Sequence, residues 1–220
     1  GQYCRWRDYL RVLVDEAGCS ADFSYVEDYR DVPIRPGDYN LVPVSDGEQV
    51  VNGYRVVGTP GHSPGHICIA LDRVLFLGDH MLSVTTPHQT PRTSWGGAGL
   101  EVYLRSLEKV AGLGLDLGLP AHEDTIYSIS GRAEEIGRFH QRRLDEVVGL
   151  CASRRSLYEV TDEYYRRHPE FIQASTVNDL AVEDLILALE EIKAHLEYLV
   201  DEGRLTGTAA DGGVVRYRAR

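Results

Sequence analysis

The sequence of 220 residues has no long hydrophobic run and no closely spaced cysteine pair. Its apolar stretches, such as 74–77 and 185–189, are far shorter than the ~18 residues that a membrane span needs, and no signal-peptide pattern opens the chain. The four cysteines include no CxxC pair, so neither a disulfide framework nor a zinc knuckle is indicated. We therefore predict a cytoplasmic protein with reduced thiols and without a membrane partner.

Basic residues are also scarce. The chain holds 34 acidic and 23 basic residues, for a net charge of −11, which opposes binding to phosphate backbones and argues against a nucleic-acid partner. Apolar residues make up 43% of the chain, enough for the core of one large domain or of a domain with a small appendage. Because the chain starts at Gly1 and its single methionine is Met81, we expect it to be a piece of a longer protein.

Hydrophobic periodicity predicts an α/β protein. The predicted elements up to residue 130 are a helix at 5–17, a turn-rich segment at 20–49, a hairpin around Asn52-Gly53, strands at 67–71 and 74–78, a helix at 100–111 and a strand at 115–119. The predicted elements after residue 130 are helices at 131–151, 156–167 and 180–202 and a hairpin of 204–208 with 214–217. Helices followed by such a hairpin indicate a winged-helix-like appendage, and eight acids within 179–202 predict a face that repels phosphate.

Three short motifs follow predicted strands. Thr59–His66 reads TPGHSPGH, the segment FLGDH places Asp79 directly after one strand, and LPAHE places His122 directly after another. Side chains at strand ends can converge on rigid positions, and imidazole and carboxylate suit zinc or iron. Each residue alone is weak evidence, since an aspartate after a strand is usually a turn former and a lone histidine usually has a structural role.

Together the three motifs resemble the second half of a metallo-β-lactamase-fold hydrolase. The helix that contains residues 103–107 resembles the one that precedes the last metal histidine in that family, and the helical tail resembles the C-terminal extension of LACTB-type hydrolases. The resemblance covers about residues 50–220. It implies part of an αββα metallo-β-lactamase sandwich in residues 1–135, followed by a small helical winged-helix-like domain in residues 136–220.

The resemblance also implies a metal centre. It makes His62 a ligand of a first divalent metal, His122 a ligand of a second, and Asp79 both the bridging carboxylate and the catalytic residue. Zinc is the expected metal, with iron or manganese as alternatives, and a hydroxide between the metals would attack the substrate. His66 is expected to shape its turn, and His66, His80 and His88 are possible pocket residues.

The chain departs from the family pattern because no histidine precedes His62, so the family's upstream HxHxDH motif is absent. Only one non-bridging ligand per metal remains, and weak metal binding and hydrolysis are expected. Four explanations stay open. The N-terminal half of the protein is missing from this chain, a partner chain completes the site, the protein is a degenerate binding module, or a single metal is held by His62, Asp79 and His122.

The predicted function is hydrolysis of an ester, thioester, lactone or related acyl bond in a small-molecule substrate. The alternatives are a metal-dependent phosphodiesterase or ribonuclease, and a non-catalytic binding module. The appendage is expected to wall the substrate pocket, and its long apolar stripe is expected to pack on the hydrolase body or to support a homodimer.

Overall fold

The computed structural model describes residues 2–19, 40, 42–94, 96–172, 174 and 176–220, without the side chains of residues 2–7 and 211. The helices are α1 (Gln2–Ala17), α2 (Leu100–Ala111), α3 (Ile129–Leu150), α4 (Leu157–Arg167) and α5 (Val182–Asp201). The strands are β1 (Arg55–Gly58), β2 (Ile67–Leu71), β3 (Val74–Gly78), β4 (Leu117–Pro120), β5 (Arg155–Ser156), β6 (Leu205–Ala209) and β7 (Val215–Ala219). The predicted α/β class is confirmed, and most of the turn-rich segment at 20–49 lies outside the described residues.

The larger sheet has the strand order β1-β2-β3-β4. Its first three strands are antiparallel neighbours, and β4 runs parallel to β3 because α2 forms the crossover between them. The predicted hairpin around Asn52-Gly53 is confirmed, since both residues have the positive φ of a tight hairpin turn (57° and 83°). The predicted strand before this turn is not a full strand: it contributes a single β-bridge, between Gln49 and Arg55.

The C-terminal part contains three helices and a three-stranded sheet of order β5-β7-β6. Ser156 begins α4 with a capping box, in which its side chain accepts from the backbone N–H of Glu159 and the Glu159 carboxylate accepts from the backbone N–H of Ser156. The predicted hairpin at the end of the chain is confirmed as the antiparallel pair β6–β7.

One continuous hydrophobic core joins these parts. Buried residues of α1, the larger sheet, α3, α4 and α5 belong to a single cluster, and α5 is buried on nearly all sides. Residue 135 lies within α3, whose two halves both contribute to this core, and the division of the chain into 1–135 and 136–220 stays a prediction. Among the described helices, none is long and apolar enough to cross a membrane.

Gly61 has no room for a side chain in the turn that joins β1 to β2. Its φ is 141°, and a Cβ atom added to it would lie 2.4 Å from the Cα atom of Tyr103 on α2. The hydroxyl of Ser106 on α2 also donates to the carbonyl of Pro60 at 2.7 Å. The turn that carries His62 is therefore fixed closely against α2.

We predict that Gly61→Ala lowers the free energy of unfolding by about 3 kcal/mol, because the new methyl group collides with backbone. Gly65→Ala in the same turn is the matched control, since an added Cβ there meets nothing within 4 Å. Urea unfolding of both variants checks this, and an equal effect of the two substitutions would contradict the described turn.

Candidate metal centre

β1, β3 and β4 precede the predicted ligands, and their carboxyl ends lie at the same end of the larger sheet. We call this end the sheet edge. Gly58 at the end of β1 pairs with Ile67 at the start of β2, and Gly78 at the end of β3 pairs with Pro120 at the end of β4. Since β2 and β3 are antiparallel, both pairs lie at the same edge. The residues that follow these strand ends are His62, Asp79 and His122.

Asp79 and His122 lie beside each other. The Nε2 atom of His122 is 3.5 Å from the Oδ1 atom of Asp79, and the side chains of His122 and Asp79 are 72% and 41% exposed, respectively. The backbone N–H of Ala121 donates to the carbonyl of Gly78 at 2.9 Å, which fixes the two strand ends relative to each other. The pair is thus positioned by the sheet and remains accessible to solutes.

His62 is oriented by the loop at 88–93. Its Nδ1 atom is 2.8 Å from the backbone carbonyl of His88, which can only accept, so Nδ1 carries the proton and Nε2 has a free lone pair. The hydroxyl of Thr90 donates to the carbonyl of His62 at 2.9 Å. A histidine whose other ring nitrogen donates to a backbone carbonyl is typical of metal sites in proteins.

His62, Asp79 and His122 do not form a tight three-residue cluster. Within the described part of the chain, the only group of three potential ligands with donor atoms all within 4.8 Å of one another consists of His140, Glu191 and His195. The structure therefore joins Asp79 with His122 and leaves His62 further away along the same sheet edge.

His66 is half-buried like His62, and His80 lies deeper than both. The Nδ1 atom of His66 is 2.7 Å from the hydroxyl oxygen of Thr59, and a Cβ atom at Gly78 would lie 2.8 Å from its Nε2 atom. Burial, with the charge of His62, lowers the pKa of His66 despite the opposing charge of Asp79. His80 is fully buried, and burial lowers its pKa to about 3, so its imidazole is neutral.

His88 connects the loop to two carboxylates of α5. Its Nε2 atom is 3.3 Å from Glu190 and its Nδ1 atom is 3.4 Å from Glu191. Burial alone would lower the pKa of His88, but these carboxylates outweigh it and raise the pKa. The backbone N–H of Gln89 donates to Glu191 at 2.7 Å, so α5 holds the segment whose carbonyl orients His62.

A third carboxylate of α5 holds the next part of the loop. Glu197 accepts from the backbone N–H of Arg92 at 2.9 Å and from the hydroxyl of Thr93. Glu190, Glu191 and Glu197 are all buried. The expectation of a phosphate-repelling outer face is wrong for these three acids, because the loop covers them, and sequence patterning did not reveal this role.

His140, Glu191 and His195 form a buried hydrogen-bonded group. The Nδ1 atom of His195 donates to the backbone carbonyl of Glu191 at 2.7 Å, so its Nε2 atom accepts from Nδ1 of His140 at 3.1 Å. The Glu191 carboxylate pairs with Arg143, and burial lowers the pKa of both imidazoles well below the ordinary range. The Nε2 atom of His140 is left without a hydrogen-bond partner.

Comparisons with known proteins agree with this fold. Residues 3–122 match the Metallo-beta-lactamase superfamily. A metallo-beta-lactamase family protein of Thermus thermophilus has a TM-score of 0.73 at 26% identity, with 99% of this chain and 68% of the other chain covered. A beta-lactamase domain protein of Burkholderia ambifaria has a TM-score of 0.75 at 26% identity, with 93% and 60% covered. The chain therefore belongs to the metallo-beta-lactamase superfamily.

Two curated fungal relatives are longer than the region they share with this chain. The lactamase-like protein nscB of Neosartorya fischeri is 32% identical over 142 residues, which are 60% of this chain and 38% of nscB. The atrochrysone carboxyl ACP thioesterase of Aspergillus fumigatus is 30% identical over 156 residues, which are 70% of this chain and 45% of the relative. The shared region thus spans less than half of either relative.

We predict that the buried pair His140 and His195 makes the protein lose stability as the pH falls below about 6.5. The unfolded chain binds protons at that pH, whereas the folded imidazoles, with their lowered pKa, stay neutral until a lower pH. Each imidazole contributes a loss of up to about 1.4 kcal/mol per pH unit. Urea unfolding between pH 7 and pH 5 measures this dependence.

His140→Leu is the control for this prediction. It removes one of the two titrating groups, so its unfolding free energy must fall less steeply with decreasing pH, whatever its stability at pH 7. Parallel curves for the variant and the original chain would show that His140 has the same pKa in the folded and the unfolded protein, which would contradict the prediction.

Proposed function

We propose that this chain forms part of a metal-dependent hydrolase that cleaves an acyl bond, with a thioester as the first candidate. The observation that carries the proposal is the convergence of two histidines and an aspartate at one sheet edge, with Nε2 of His62 left free by the bond from Nδ1 to His88. The thioesterase name of the Aspergillus fumigatus relative supports the choice of an acyl substrate.

The donor set fits zinc, which binds imidazole nitrogen and carboxylate oxygen. The pair of Asp79 and His122 offers two donors separated by 3.5 Å, and the free Nε2 atom of His62 offers a third. Because the three donors are not within 4.8 Å of one another, they would suit two neighbouring ions better than a single ion. Iron or manganese in place of zinc would satisfy the same donors.

Metal ions at this centre would polarise the acyl carbonyl and make water a nucleophile at neutral pH. The residues of the chain have separate tasks. His62 is held in one tautomer by the carbonyl of His88, Asp79 supplies a negative charge beside His122, and His122 is fixed by the pairing of β3 with β4. Glu123 accepts from the backbone N–H groups of Val84 and Thr85, so a loop lies directly beside His122.

Three donors are fewer than two catalytic ions require, since each ion usually has three protein ligands. We propose that the remaining donors come from outside this sequence, either from another part of the same protein or from a partner chain. The chain's partial coverage of its curated relatives supports this idea.

We propose that α3, β5, α4, α5 and the β6–β7 hairpin form a winged-helix-like unit that supports the metal centre. The buried acids of α5 bind the loop at 88–93. The helix therefore offers buried carboxylates on this side, where a nucleic-acid surface would need basic side chains. This arrangement favours acyl hydrolysis over the ribonuclease alternative, because polyanion binding depends on basic side chains.

We predict that Asp79→Asn and His122→Ala each weaken zinc binding at least tenfold, because each removes a donor atom from the centre. Calorimetric titration of the chain with zinc chloride measures the affinity. His168→Gln is the matched control, since His168 is paired with Glu146 in the C-terminal part and lies outside the proposed centre.

Unchanged zinc affinity in both ligand variants would contradict the proposed centre. The reaction class is tested on the chain together with the segment or partner chain that supplies the remaining donors, with S-acetyl-N-acetylcysteamine as a small thioester and bis(p-nitrophenyl) phosphate as the phosphodiester. Zinc-dependent hydrolysis of the phosphodiester alone would favour the phosphodiesterase alternative, and zinc binding with hydrolysis of neither would favour a binding module.

A further inference from the structure

A large cavity shares the loop at 84–88 with the candidate metal centre. Its volume is about 1160 Å³, and its walls come from α3, from the segment between α4 and α5, from the first half of α5 and from the loop at 84–88. Pockets for small molecules in proteins usually measure ~300–1,000 Å³, so this cavity can receive a ligand with several rings or a long chain.

The mouth of the cavity carries both apolar and charged side chains. The apolar ones are Val84, Phe171 and Leu187, which are 74%, 45% and 47% exposed, respectively. The charged ones are exposed too, namely Glu135, Arg142, Glu170, Asp179 and Asp184. Phe139 adds a second aromatic ring, packed edge-on against Phe171 at a centroid distance of 5.7 Å. Exposed apolar side chains that converge on one cavity indicate a surface that an apolar ligand covers.

The charged groups of the cavity do not favour a polyanion. Five acidic side chains and three arginines line it. Two of the arginines already have protein partners, because Arg132 donates to the carbonyls of Leu82, Val84 and Thr85 and Arg143 pairs with Glu191. A nucleic acid or a polyphosphate would therefore meet a net negative wall.

The loop at 83–88 joins the cavity to the metal centre. Its first part is bound to Glu123, the residue after His122, through the backbone N–H of Val84 at 2.6 Å and the hydroxyl of Thr85. Its last residue, His88, lines the cavity with its side chain and accepts from His62 with its carbonyl. One short loop is thus the wall of the cavity and a support of the centre.

We propose that this cavity binds the acyl group of the substrate and selects a bulky, apolar, aromatic acyl group. The proposal rests on the proposed function, in which the acyl bond is cleaved at the centre of His62, Asp79 and His122. The apolar side chains of Val84 and Leu187 and the aromatic rings of Phe139 and Phe171 bind the acyl group, while the loop at 83–88 leads its carbonyl end toward Asp79 and His122.

The first test measures binding without catalysis. The probe is 2-naphthamide, a neutral and uncleavable mimic of an aromatic acyl group, with acetamide as the small counterpart. Leu187→Asp places a charge at the mouth of the cavity and is expected to weaken 2-naphthamide binding at least tenfold. Val12→Asp is the matched control, because Val12 also lies on a helix and is 49% exposed but does not line the cavity.

A second variant distinguishes a loss of ligand binding from a loss of folding. Phe171→Ser removes one aromatic ring from the mouth and is expected to weaken 2-naphthamide binding as well, with an unchanged unfolding transition. With the remaining metal donors supplied, the same variants are expected to raise KM for S-(2-naphthoyl)-N-acetylcysteamine more than KM for the S-acetyl thioester.

The outcomes separate the two proposals. The cavity proposal is overturned if the original chain does not bind 2-naphthamide, or if both cavity variants bind it as tightly as the original chain does. Either result counts whatever the zinc titration gives. Binding of 2-naphthamide that depends on Leu187, together with unchanged zinc affinity in the Asp79 and His122 variants, supports the cavity as an aromatic-ligand site and overturns the hydrolytic centre.

Discussion

The arrangement of the candidate metal centre depends most on the contacts of the Glu191 carboxylate. This carboxylate is buried in α5, pairs with Arg143 of α3, accepts from the backbone N–H of Gln89 and lies 3.4 Å from His88. A buried carboxylate is costly unless it is fully paired and hydrogen-bonded. Burial alone would raise its pKa, but Arg143, His195, His88 and the Gln89 N–H outweigh burial and lower it.

This contact links the C-terminal helices to the edge of the larger sheet. Glu191 holds Gln89, the neighbouring carbonyl of His88 accepts from His62, and Glu197 fixes Arg92 and Thr93 further along the loop. The orientation of a candidate ligand near residue 60 therefore depends on a helix more than a hundred residues later in the chain. The C-terminal helices support the centre and also form most of the cavity beside it.

The elements and the candidate ligands could be predicted from the sequence because their signals are local. Apolar periodicity placed the helices to within a few residues, and the Asn52-Gly53 turn and the short strands are marked by glycine, proline and aspartate. The positions of Asp79 and His122 after two strands were also readable, and the parallel pairing of β3 with β4 brings them together. The assignment of these residues as metal ligands stays a prediction.

The contacts of α5 could not be predicted, because they join residues far apart in sequence. Gln89 and Glu191 are 102 positions apart, and an acidic residue looks the same in a sequence whether it is solvated or buried against a backbone N–H. Glu190, Glu191 and Glu197 stand among mostly apolar residues in the middle of α5, and that mixture was the one available signal. The cavity depends on the same distant packing, so periodicity could not reveal it either.

Nitrogen-15 NMR of the His62 imidazole at pH 8, with and without zinc chloride, tests the central claim most directly. The account predicts a protonated Nδ1, as the bond to the His88 carbonyl requires, and an unprotonated Nε2 whose resonance shifts when zinc is added. A protonated Nε2 in the free protein, with no response of either nitrogen to zinc, would contradict the account.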